Sequence, residues 1–184
     1  MKALKLFVIL ILAYSCSVKY SLTGASISPE TKTFQVNYFQ NNAPLIEPGI
    51  ERDFTNKLID LLINQTSLEL VKSNGDLTYE GEIVEYRISP TTATANNTAA
   101  QNRLTVGVNI RFYDKNDSEA DFEKRFSFYY DYPGNVQLIG GQRDTALDEI
   151  FERITQDVFN ASLAKWWYEQ KELYKNITTA WKAF

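Results

Sequence analysis

Phe34, Val36 and Tyr38 alternate with Thr33, Gln35 and Asn37, a period of two that predicts a half-buried strand over residues 33–39. Pro44, Pro48 and Gly49 make residues 40–49 a loop. From Ile50 the period lengthens. Ile50, Phe54, Leu58, Leu61 and Leu62 share one helical face, and this helix is expected to end near residues 64–66. Residues 68–71 read as a short strand, and Asn74-Gly75 as a tight hairpin turn. The turn leads into a longer strand over 77–88 that carries Tyr79, Ile83, Val84, Tyr86 and Ile88. Gly81 inside it predicts a bulge or a close approach. Residues 91–100 hold only Thr, Ala and Asn, and are either a loop tip or a continuation of the hairpin.

The clearest strand follows, over 103–114: Leu104, Val106, Val108, Ile110 and Phe112 alternate with Thr105, Gly107, Asn109, Arg111 and Tyr113. A polar tip over 115–119 turns the chain back. Residues 122–132 then place Phe126, Phe128, Tyr130 and Tyr132 on one side and Arg125, Ser127, Tyr129 and Asp131 on the other. Pro133-Gly134 ends that strand. A second helix is expected from Asp144 as N-cap, with Leu147, Ile150, Phe151, Ile154, Val158 and Ala161 on its buried face and a pattern that can run to Trp166-Trp167. Two helices with one apolar stripe each must cover a sheet face. The expected fold is α/β: a two-layer sandwich, with a mostly antiparallel sheet of about four to five strands, two helices on one face and the other face open.

The first residues read differently. Lys2 and Lys5 precede an apolar run over 6–13, the design of a secretory signal peptide. The run is too short to cross a bilayer, which takes about 20 apolar residues. The single cysteine, Cys16, closes it. Its place suggests a bacterial lipoprotein signal, cleaved before Cys16 and acylated on the sulfur and the new amino group. The alternative is an ordinary signal peptide with an incidental cysteine. A lone exported thiol calls for an explanation, and acylation supplies one; several acyl chains together anchor stably. The expected organisation is a signal peptide over 1–15, a lipid anchor and tether over 16–30, one domain over 31–167, and a tail or helix extension over 168–184.

Composition narrows the chemistry. The net charge is −4, and removal of Lys2 and Lys5 makes it −6, so no basic footprint for nucleic acid exists. Histidine is absent, which removes the commonest general base and metal ligand. With Cys16 acylated, neither a Cys/His zinc site nor a Ser-His-Asp triad is available. No catalytic residue, metal site or cofactor is expected. Five matches to the N-glycosylation pattern, at Asn64, Asn96, Asn116, Asn160 and Asn176, are read as chance. Asp144-Thr145-Ala146 is similar to an O-glycosylation acceptor of Bacteroidetes, although an acidic helix start explains it already.

Several phrases carry a resemblance. Residues 20–26 (YSLTGAS), 33–39 (TFQVNYF), 75–83 (GDLTYEGEI), 102–106 (NRLTV) and 122–126 (FEKRF), followed by the Asp144 helix, are similar to the LptE-type lipopolysaccharide-assembly lipoproteins of the outer membrane, in the form typical of Bacteroidetes. The resemblance implies an α/β sandwich and a non-enzymatic role. It implies a plug inside an LptD-type β-barrel, held to the membrane by acylated Cys16, facing the periplasm and the barrel lumen and in contact with lipopolysaccharide. A barrel lumen is polar, and tyrosine offers flat area with one hydrogen-bonding tip. Tyr79, Tyr113, Tyr129 and Tyr130 are therefore the expected outward-facing barrel contacts. Arginine holds phosphates by paired hydrogen bonds. Arg87, Arg103, Arg111 and Arg125, with Lys115 and Lys124 at a hairpin tip, are the expected lipopolysaccharide contacts, or else cations paired with Glu82, Glu85 or Glu123 across the sheet. Two rival readings stand beside this one. One is an envelope lipoprotein that binds a small lipid or another periplasmic complex without a barrel partner. The other is a carboxylate-dependent hydrolase, for which no paired carboxylates appear at a convincing spacing.

Overall fold

The computed structural model describes residues 27–93 and 99–164. Cys16, the signal segment, most of the tether, the tip of the long hairpin and the 168–184 tail lie outside the described residues. In chain order the elements are β1 (Thr33–Val36), β2 (Gln40–Asn41), α1 (Ile50–Gln65), β3 (Glu69–Leu70), β4 (Leu77–Ala93), β5 (Ala99–Asp114), β6 (Phe122–Pro133) and α2 (Gly141–Leu163). They form a mixed α/β fold with one six-stranded sheet in the order β3-β1-β4-β5-β6, in which β2 also pairs with β4. The long strands β4, β5 and β6 are antiparallel neighbours, whereas β1 pairs in parallel with β3 and β4, and β2 in parallel with β4. The hairpin reading of residues 91–100 holds as far as Ala93 and from Ala99.

The helices follow their apolar stripes. Ile50, Phe54, Leu58 and Leu62 of α1 are buried, as are Leu147, Ile150, Phe151, Ile154 and Val158 of α2. Lys57 reaches Asp148 at 2.5 Å and Gln65 donates to Gln156 at 3.3 Å. Each pair is 91 residues apart, so the two helices run side by side in one direction. Between helices and sheet lie Leu104, Val106, Val108, Ile110 and Phe112 of β5, all buried.

Four expectations are corrected. First, Asn74-Gly75 does not make a hairpin: β3 lies on the far side of β1 and parallel to it. Asn74 has φ 57°, but a Cβ on Gly75 would stand 2.8 Å from the Gln35 backbone nitrogen, so this glycine serves a close crossing over β1. Second, the bulge in β4 sits at Val84, between the pairs Ile83–Val108 and Glu85–Gly107, and it exchanges the two faces of the strand beyond it. At Gly81 the other expected alternative, the close approach, is the one present, since a Cβ there would lie 1.9 Å from the Asn109 carbonyl oxygen and 2.9 Å from the Phe39 ring. Third, α2 begins at Gly141 with Gly140 as N-cap, which puts Asp144 inside the first turn. Fourth, Ser162 rather than Ala161 turns inward at the end of α2. The Ser162 hydroxyl donates to the Val158 carbonyl at 2.9 Å and lies 2.9 Å from the Tyr79 phenol, so the phenol is the donor in that second bond.

Phe39, outside β1, fills the space that Gly81 leaves, and its ring meets Phe54 edge-on at 4.9 Å; Phe54 meets Phe151 in the same way at 5.4 Å. Replacing Gly81 by alanine forces β4 and β5 apart and displaces Phe39. The expected loss is at least about 2 kcal/mol in urea denaturation. Tyr79→Phe removes one buried hydrogen bond and is expected to cost about 1 kcal/mol by the same measurement.

Candidate functional site

The alternation that sends apolar side chains under the helices sends the charged ones to the other sheet face. There the registers Glu80↔Arg111 and Glu82↔Asn109 set Arg111 between two carboxylates, 3.1 Å from Glu80 and 3.1 Å from Glu82. Hydrogen bonds to Glu82 and Glu80 hold its guanidinium above the ordinary arginine value. Asn109 donates to Glu82 at 3.2 Å, and Asn37 donates to Glu80 at 3.0 Å. One position along, Glu85 accepts from Arg125 at 2.5 Å and from Arg87 at 2.9 Å. Arg125 lies across Gly107, where a Cβ would approach its guanidinium to 3.0 Å. Further on, Arg103 grips its cross-strand partner Asp131 with two bonds, of 2.7 and 2.8 Å, and sits 3.6 Å from the centre of the Tyr129 ring. The bond to Arg103 draws the Asp131 carboxyl below its usual value.

The face is therefore a lattice of alternating acids and arginines. Arg87, Arg103, Arg111 and Arg125 are balanced by Glu80, Glu82, Glu85, Glu123 and Asp131, so the face taken as a whole carries no net positive charge. Each half-exposed pair contributes only about 0.2–1 kcal/mol. Their collective effect is to fix the orientation of every long side chain on the face.

The sheet brings the four expected arginines together. It does not bring the two lysines to them. Lys115 stands at the turn after β5 and borders a polar cavity of about 580 Å³ shared with Gln35, Asp76 and Tyr113. Lys124 is on the helix side of β6, with its ammonium 5.0 Å from the centre of the Phe126 ring. Tyr113 and Tyr129 are 42% and 45% exposed and lie on the open face. The outward placement of the other two tyrosines is corrected. Tyr79 is fully buried against α2, where burial pushes its phenol up, because the odd positions of β4 before the bulge face the helices. Tyr130 has the parity of Phe126 and Phe128 and packs half-buried against the core. The carboxylates Glu80 and Asp131 are absent from the expected site: Asp131 shares the parity of Arg125 on β6, the signal that could have found it, whereas Glu80 has the opposite parity to Arg87 on β4 because the bulge at Val84 lies between them.

Asp76 ties β1 to β4. Its Oδ2 accepts from the Lys32 N–H at 2.9 Å, the Thr33 N–H at 3.0 Å and the Thr33 hydroxyl at 2.9 Å. Among the described residues no group of His, Cys, Asp and Glu is placed to hold a metal ion, and no helix is long and apolar enough to cross a membrane.

The family model LptE, described as lipopolysaccharide-assembly, matches residues 31–162. The chain belongs to the LptE family. No curated protein matches it significantly. Among solved structures, protein XCC0632 from Xanthomonas campestris is similar at 7% identity over 80% of this chain and 94% of that one, with a TM-score of 0.51. The rare lipoprotein B from Shewanella oneidensis is 11% identical over 79% and 98%, with a TM-score of 0.45. The minor lipoprotein from Acinetobacter baumannii is 15% identical over 69% and 88%, with a TM-score of 0.44. The family ties this LptE protein to lipopolysaccharide assembly, and the match extends from just before β1 to the end of α2.

The bonds from Lys32 and Thr33 hold the Asp76 carboxyl below its ordinary value. A depressed folded-state value contributes stability in full above the unfolded value, near 3.9, and loses it as pH falls through the folded value. Asp76→Asn is accordingly expected to lower the urea midpoint at about pH 7 and to flatten the fall in stability toward about pH 3. A parallel acid limb in variant and parent would contradict this.

Proposed function

We propose that this LptE protein is a non-enzymatic outer-membrane lipoprotein, tethered through acylated Cys16, that plugs and helps to assemble the LptD-type β-barrel of the lipopolysaccharide translocon. The observation that supports the reading is the sheet face that no described helix covers. Every arginine on it is held against a carboxylate. A barrel lumen is lined with polar groups. A charge-balanced lattice offers such a wall many donors and acceptors without the desolvation cost of unpaired charge. Tyr113 and Tyr129 add flat, half-exposed area to the same face.

Lipopolysaccharide contact belongs to this proposal at Arg87, Arg103, Arg111, Arg125, Lys115 and Lys124. A phosphate reaching Arg103 or Arg111 must displace a carboxylate, so plugging is the primary role and glycolipid contact the secondary one.

The test is recovery of the tagged full chain from detergent-solubilised outer membrane. A large β-barrel protein is expected in the eluate. Thr105, which pairs with Arg87 and Tyr129 near the middle of the open face, is the site for a bulky change. Thr105→Trp is expected to lower barrel recovery about tenfold with little change in melting temperature, while Asn56→Trp on the exposed side of α1 leaves recovery unaltered. A monomer that carries bound lipid and no barrel would replace this reading with that of a lipid-binding envelope lipoprotein.

A further inference from the structure

The outer edge of β4 is paired with β1 at residues 77–79 and with β2 at 82–83. The last main-chain bond on that side runs from the Asn42 N–H to the Ile83 carbonyl, at 2.8 Å. From Val84 onward no described strand pairs with this edge, while the opposite edge stays on β5 as far as Ala93. A groove of about 460 Å³ begins there. Residues 84–88 border it consecutively, and Pro44, Leu45 and Arg125 complete it. Successive side chains of a strand point to opposite faces. Beyond the bulge, Glu85, Tyr86, Arg87 and Ile88 alternate between the two faces, so a groove bordered by all four runs along the strand's edge, which is where the next strand would make its hydrogen bonds.

We propose that this groove takes an extended segment of a partner protein as an added strand, with apolar side chains against Leu45 and Ile88 and an acidic side chain against Arg87 and Arg125. The charges favour such an occupant. Glu85 serves both Arg87 and Arg125, so two guanidiniums share one carboxylate and the groove carries one positive charge in excess. These are also exposed arginines, at 59% and 52% of the side chain, against 35% for Arg103 and 29% for Arg111. Leu45 and Ile88 are both exposed beside the unpaired backbone. A free edge flanked by apolar side chains is what proteins otherwise cover. The proposal stands apart from the plug reading, because it holds for a partner that is not a barrel.

The probe is a capped octapeptide that alternates threonine and valine, with aspartate replacing the central threonine. It is titrated into the isotope-labelled full chain in detergent micelles, and amide shifts are followed by NMR. The shifts are expected at residues 84–89 and at Leu45. Lysine in place of the aspartate, or Arg87→Gln in the protein, is expected to weaken binding at least about tenfold, and a fully N-methylated peptide is expected not to bind. The proposal is overturned by an absence of shifts, by shifts elsewhere in the molecule, or by equal binding of the N-methylated peptide. It is likewise overturned if anionic phosphatidylglycerol vesicles, or rising concentration of the protein alone, move the same amides in place of the peptide.

Discussion

Phe39 seated over Gly81 is the contact on which the rest of the architecture depends. The glycine leaves a gap in the helix-side surface of β4, and the ring that fills it belongs to the short link between β1 and β2. From that ring the edge-to-face chain passes through Phe54 to Phe151, joining the sheet, α1 and α2 within one run of aromatic contacts. Each such pair contributes about 0.5–1.5 kcal/mol beyond the area it buries. The geometry matters as much as the energy: a side chain at position 81 would hold Phe39 off the sheet and leave α1 without its seat.

Placing the whole apolar core on one side of the sheet dictates the character of the other side. Strand positions alternate, so the positions left over on β4, β5 and β6 project away from the helices, and in this chain they are mainly acids, arginines and small polar residues, with Tyr113 and Tyr129 among them. Opposite charges directly across a ladder attract, and the registers place Arg111 opposite Glu80 and Arg103 opposite Asp131. The open face is therefore pre-ordered and nearly neutral. Such a surface suits a close fit to a polar wall better than capture of an isolated anion, and this argument weights the two roles given to the protein.

Much of this fold is legible in the sequence where periodicity is uninterrupted. β5 alternates without a break, and both helices have spacings that admit no other reading. What is not legible comes from single-residue events. The extra residue at Val84 exchanges the two faces of β4, so no one alternation accounts for both Tyr79 and Tyr86 as buried. Asn74-Gly75 carries the local chemistry of a hairpin, yet the glycine answers a non-local demand, the crossing over Gln35. Tyr79 resembles a surface aromatic by type and is a core residue by position, with Ser162 supplying the partner its phenol requires. At the site, the arginines are visible as residue types, but their neutralisation depends on which carboxylate the register sets opposite each one.

The layout also gives the molecule two unlike ends. Thr31 accepts a hydrogen bond from the Asn116 side chain at 2.9 Å, so the chain enters the domain beside the β5–β6 turn. The β4–β5 hairpin extends in the other direction. β6 ends against Gln101, near that hairpin, and leads into the first turn of α2, where Arg143 bonds Glu47 at 2.6 Å. The loop over residues 42–49 and the edge groove are thus on the hairpin side. β4, at about 3.3 Å per residue, carries the edge with which no described strand pairs away from the point where the chain enters at Thr31. The entry of the chain and that edge thus lie toward opposite ends of the sheet, so a strand added to β4 would dock away from the β5–β6 turn.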